Sequence, residues 1–127
     1  MIARMGYQSE THTVITEDCY ILEMHRIPHG KGQTKANLKT ILLVHGVLGS
    51  SADWVMGIPE KSLGYILADA GYDVWLGNMR GNTYSRAHCE MDPSSLEFWD
   101  FRLIHIFQNS HFFKIHFFFK IRISSKK

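Results

Sequence analysis

A chain of 127 residues, 45% hydrophobic and 20% charged, is sized for one globular domain and is too apolar to read as disordered. Its net charge of +2 is uneven: residues 103–127 carry Lys114, Lys120, Arg122, Lys126 and Lys127 and no acid, which leaves residues 1–102 at −3. A mildly acidic body with a basic tail gives no case for a nucleic-acid-binding domain, and the sequence shows neither a signal-peptide-like apolar region after Met1 nor a run of about 18 apolar residues that could span a bilayer.

Residues 11–16 alternate and are rich in β-branched types, which predicts a strand. Glu17-Asp18-Cys19-Tyr20 reads as a tight turn into a second strand over 21–27, so the two form a hairpin. Such turns favour glycine where φ is positive, and Cys19 there costs about 1 kcal/mol relative to Gly. From Pro28 to Leu38 the glycines and lysines follow no apolar period and predict a surface loop. The run Ile41-Leu42-Leu43-Val44 predicts a buried strand over 40–44. Residues 61–70 place Leu63, Ile66, Leu67 and Ala70 on one helical face, with Gly71 at the C-cap. A second buried strand follows at 73–78, so 40–78 forms a β-loop-α-β unit with parallel strands. Residues 94–101 predict the start of a helix.

After Arg102 the composition changes. Residues 103–127 contain six of the eight phenylalanines among Ile, Lys, His and Ser, with no Gly, Pro, Asp or Glu and no persistent period. Two readings fit: translated non-coding sequence, or a cationic, phenylalanine-rich segment making weak contact with a membrane surface. Nothing in the sequence places Cys19 near Cys89, and free thiols are expected. His25 and His29 are four apart, but the strand reading and Pro28 argue against a helical metal pair, and no metal site or cofactor is expected.

The segment that carries chemistry is His45-Gly46-Val47-Leu48-Gly49-Ser50-Ser51-Ala52-Asp53-Trp54, directly after the 40–44 run. A strand stopping at a His-Gly turn leaves backbone N–H groups pointing outward, a geometry that can hold the oxyanion of an acyl-transfer intermediate. With Thr13-Val14-Ile15-Thr16-Glu17-Asp18, Met24-His25-Arg26-Ile27-Pro28, the stretch from Ala70 to Arg86, and Glu97-Phe98-Trp99-Asp100-Phe101, it makes five blocks in order. Through these blocks the chain, from Gly6 to Phe101, resembles the acid lipase family that includes lysosomal acid lipase and gastric lipase.

The resemblance implies the N-terminal part of an α/β-hydrolase fold over residues 1–102, an antiparallel hairpin plus a β-loop-α-β unit in an incomplete sheet, with 103–127 outside it. It implies that the Val47 backbone N–H contributes to the oxyanion hole, with His45, Gly46 and Gly49 supporting the turn. Asn78, Arg80, Asn82 and Arg86 are expected to pin the loop after the fourth strand. The implied substrate is a neutral lipid ester, a triacylglycerol or sterol ester, in a secreted or lysosomal setting. Cys19 departs from the family's usual Gly. No G-x-S-x-G nucleophile elbow occurs in the 127 residues, so the chain is expected to be an inactive fragment of a serine ester hydrolase. The alternative is a non-catalytic lipid- or partner-binding remnant with a membrane-adherent tail. With the fifth strand of the family sheet missing, residues 41–44 are expected to form an apolar, aggregation-prone edge.

Overall fold

The computed structural model describes residues 1–102; the expectations for 103–127 lie outside the described residues. Strands β1 (Glu10–Ile15) and β2 (Tyr20–Ile27) form the hairpin, in a register that pairs Glu10 with Arg26 and Ile15 with Ile21. Its turn holds Cys19 at φ 65°, the left-handed conformation that disfavours a residue with a Cβ. The hydrogen bonds Thr16 N–H to Tyr20 O and Cys19 N–H to Thr16 O close it.

Strand β3 (Thr40–Val44) leads through the turn region to helix α1 (Leu63–Asp69) and back to β4 (Asp73–Gly77), which lies parallel to β3. Strand β5 (Ala87–His88) adds two residues to the Tyr20 end of β2. The sheet order is β1-β2-β4-β3, with β5 also on β2, so the parallel pair joins the hairpin through an antiparallel β2–β4 contact. Arg26 ties three strands together: it donates to both Asp73 carboxylate oxygens at 2.8 and 3.0 Å and to Glu10 at 2.9 Å.

The main core lies where α1 covers one face of the sheet. Ile27, Val74 and Leu76 meet Val55, Tyr65 and Ala68 there, joined by Ile2 and Tyr7 from the N-terminus. A smaller cluster of Tyr20, Leu22 and Phe98 closes the hairpin end. Gly71, at φ 99°, terminates α1 in a Schellman motif, its N–H bonded to Ala68 O and that of Tyr72 to Leu67 O.

Three expectations are corrected. The helix begins at Leu63, after a short 3₁₀ turn at Pro59–Lys61, and it buries Gly64, Tyr65 and Ala68, whereas Leu63, Ile66 and Ala70 are exposed and Leu67 is half-buried. The reason is close approach: a Cβ on Gly64 would stand 2.9 Å from Val55 Cγ1 and 3.0 Å from the Trp54 carbonyl oxygen. The helix therefore seats on Trp54 and Val55 through its smallest residue. Residues 94–101 yield only a 3₁₀ turn at Glu97–Trp99, anchored by the buried Phe98. Finally, β3 is half-buried rather than buried, because among the described residues a strand flanks it on one side only.

Candidate active-site turn and its support

Beyond Val44 the chain turns sharply. Gly49 N–H donates to Gly46 O at 3.1 Å, and Leu48 takes φ 64°, a left-handed conformation costing about 1–2 kcal/mol for a residue with a Cβ. Val47 and Leu48 stand at the tip, 80% and 102% exposed. Among the described residues the Val47 N–H has no acceptor. Nothing lies within 4 Å of where a Gly46 Cβ would be, so the space beside the turn is open. Gly49 has the opposite surroundings, since a Cβ there would collide with the Asp53 carboxylate. That carboxylate is engaged in a capping box: Ser50 N–H donates to it, while Ser50 Oγ accepts the Ala52 N–H at the start of a 3₁₀ turn, Ser51–Trp54.

His45 is buried beneath the turn. Met79 N–H donates to its Nε2 at 3.1 Å, so the ring proton sits on Nδ1, which donates to Gly46 O at 2.7 Å. Asn82 Nδ2 also donates to Nε2. With both nitrogens engaged, His45 is a strut between the turn and the loop after β4, not a base.

Behind it lies a hub centred on Asn78 and Asn82, two of the expected pinning residues, whose links to Glu23, His25 and Ser51 sequence reasoning missed. Buried Asn78 accepts from Ser51 N–H and Asn82 Nδ2 at its Oδ1, and donates from Nδ2 to Glu23 O and Ser51 Oγ. All four contacts fall between 2.8 and 3.1 Å. Ser51 Oγ in turn lies 2.8 Å from His25 Nδ1, and His25 Nε2 lies 3.0 Å from Glu23 Oε1. Serine, histidine and carboxylate in series imitate a catalytic triad by residue type. Ser51 is only 2% exposed, however, and its Oγ already accepts from Asn78, so no substrate carbonyl reaches it. The set is a brace. Its members come from β2, the turn and the loop after β4, and no local pattern links them.

The expected pinning residues sit on that loop. Arg80 pairs with Asp18 at 2.5 and 3.2 Å, and its guanidinium stacks 4.2 Å from the centre of the Tyr20 ring. Partial burial pushes the Asp18 carboxyl up, but hydrogen bonds from Arg80 and Thr16 outweigh it and hold the group below the usual carboxylate range. Ser85 Oγ receives the Glu23 N–H, and Arg86 lies over Trp99. Trp75 is buried in the sheet, whereas Trp99 is partly exposed. His29 bonds Gly30 O and Gln8, apart from His25. Among the described residues no cluster of three His, Cys, Asp or Glu could hold a metal, and no helix is long and apolar enough to cross a membrane.

The family model described as alpha/beta hydrolase fold matches residues 39–105, more than half of the chain. The chain belongs to the α/β-hydrolase family. A second model, the partial alpha/beta-hydrolase lipase region, matches residues 1–58. Among curated relatives of this α/β-hydrolase, the chain is 52% identical over 103 residues to a gastric triacylglycerol lipase of Bos taurus, covering 80% of this chain and 26% of that protein. It is 53% identical to lipase lipl-5 of Caenorhabditis elegans, over 79% of this chain and 26% of the relative, and 50% identical to lipase member K of Mus musculus, over 80% and 26%. The acid lipase resemblance seen in the five blocks is thus matched by whole-segment identity near one half. The chain spans about a quarter of the length of the curated relatives it matches.

Proposed function

We propose that residues 1–102 supply the oxyanion-binding half of a serine ester hydrolase acting on neutral lipid esters, triacylglycerols or sterol esters, in a secreted or lysosomal setting. The observation that carries this reading is the Val47 N–H, exposed and without an acceptor among the described residues, on a turn braced from below by His45. An oxyanion donor must be fixed before charge develops, because reorganising it during the reaction costs the stabilisation it offers. The strained Leu48, the capping box and the His45 strut provide that fixity, and the open side of Gly46 leaves room for an acyl group.

The 127 residues hold no G-x-S-x-G serine, and Ser51 is buried, so this chain by itself is inactive in this reading. Two assays test it. The purified chain should not hydrolyse a short-chain nitrophenyl ester, and turnover blocked by a serine-reactive phosphonate would sink the claim of inactivity. For the oxyanion role, this segment replaces the matching 103 residues of the bovine lipase. The chimera should hydrolyse esters, and Val47→Pro, which deletes the N–H, should lower its kcat by about 10²–10³-fold at unchanged thermal stability. A folded chimera whose kcat ignores that substitution would refute the assignment.

A further inference from the structure

Two cysteines far apart in sequence meet where β5 joins the hairpin. Tyr20 lies opposite His88 and Ile21 opposite Ala87 in this antiparallel pair. One further step in the same register sets Cys19 opposite Cys89, and the Cys89 N–H donates to the Cys19 carbonyl oxygen at 3.0 Å. Directly opposed residues in antiparallel strands have Cα atoms about 4.5–5.5 Å apart, inside the range of about 4.4–6.8 Å that a disulfide spans. Cys19 itself lies just outside β2 at φ 65°, and its thiol and that of Cys89 interact. Both cysteines are free thiols here, Cys89 exposed and Cys19 half-buried.

We propose that Cys19 and Cys89 are a redox pair that closes into a disulfide, stapling the β1–β2 turn to the far end of the loop that holds His45. The oxidant is a low-molecular-weight disulfide such as oxidised glutathione. The Cys89 thiolate attacks one of its sulfurs, forming a mixed disulfide and expelling one glutathione thiolate. The Cys19 sulfur then displaces the second, forming the protein S–S bond. Two thiol protons and two electrons leave the protein, and the glutathione disulfide becomes two thiols. The order follows from exposure. It is supported by the Cys19 thiol, which hydrogen bonding toward the Cys89 sulfur and partial burial push up, so that the exposed partner is the better first nucleophile.

The staple acts where the loop is already fastened. His88 Nε2 bonds the Asp18 carbonyl, and Arg80 grips the Asp18 carboxylate. Met79 and Asn82, on the same loop, hold His45. Closing a loop of about 70 residues removes much of the freedom of the unfolded chain. The oxidised form should therefore melt higher by roughly 10 °C.

The test equilibrates the full chain with glutathione redox buffers, quenches in acid, alkylates and digests with trypsin. The expected product links Met5–Arg26 to Ala87–Arg102 with the loss of two hydrogens. Its effective concentration against glutathione should be about 100-fold higher in native buffer than in denaturing urea, because the folded sheet presents the pair. Thermal melts of oxidised and reduced chain, beside a Cys19→Ser/Cys89→Ser variant insensitive to the buffer, read the staple. Equal effective concentrations in buffer and urea, mixed disulfides only, or an oxidised form that melts no higher than the reduced one would each overturn the proposal.

Discussion

Strands β3 and β4 are parallel neighbours with similar apolar sequences, yet they end up in different environments. β4 lies between β2 and β3 with α1 across one face, and its Val74 and Leu76 are fully buried. β3 has only β4 beside it among the described residues, and Ile41 to Val44 stay half-buried. The contrast continues past their ends. β4 runs into the buried Asn78 and Arg80, while β3 runs into the exposed tip of Val47 and Leu48. An apolar run therefore identifies a strand of an α/β sheet, but its burial is decided by neighbours that the run itself does not encode.

The sharpest way to break this comparison is truncation at one register level. Leu76→Ala should cost about 3–4 kcal/mol in urea unfolding, and Leu43→Ala, its partner across β3–β4, about 1 kcal/mol. Equal losses would show that β3 is as well covered as β4. Asn78→Ala comes next, at about 2–3 kcal/mol, because it strands the Ser51 N–H and the Glu23 carbonyl in a buried site. Leu42→Lys on the edge strand should cost about 1 kcal/mol or less while lowering self-association in sedimentation velocity. Association unchanged by the lysine would acquit β3 as the template.

The smallest effect concerns the anchor of the loop after β4. Asp18 is held below the ordinary carboxylate value by Arg80 and Thr16 despite its partial burial. The stability it contributes is complete above the unfolded value near about pH 4 and is lost as pH falls through the folded value. With a third of its side chain exposed, the contribution stays below about 1 kcal/mol. Asp18→Asn should flatten acid unfolding in that window, and an unchanged profile would remove Asp18 from the anchor.

The hairpin, the two parallel strands and the crossover were legible because each is a local pattern: β-branched alternation, short apolar runs and a terminating Gly71. The helix face was not. Leu63, Ile66, Leu67 and Ala70 form a regular stripe, but Gly64 lets the opposite side settle on the Trp54 carbonyl and the Val55 side chain, and a close approach at glycine leaves no hydrophobic signature. The turn from His45 to Gly49 was visible as a motif, with Gly49 now explained by the Asp53 carboxylate against it. The strain at Leu48 and the links among Glu23, His25, Ser51 and Asn78 were invisible, since they depend on segments brought together only by the fold.

The β2–β4 junction also dictates an order of assembly. The hairpin closes through a four-residue turn, whereas Arg26 and Asp73, whose ion pair seals the junction, are 47 residues apart in the chain. Contacts that close long loops form late, after local ones have formed. Folding should thus begin as two islands, the hairpin and the β3–α1–β4 unit, with their docking as the slow step. Substitutions at Ile27 or Val74 should then slow folding, whereas those at the Thr16–Cys19 turn should leave the docking rate almost unchanged.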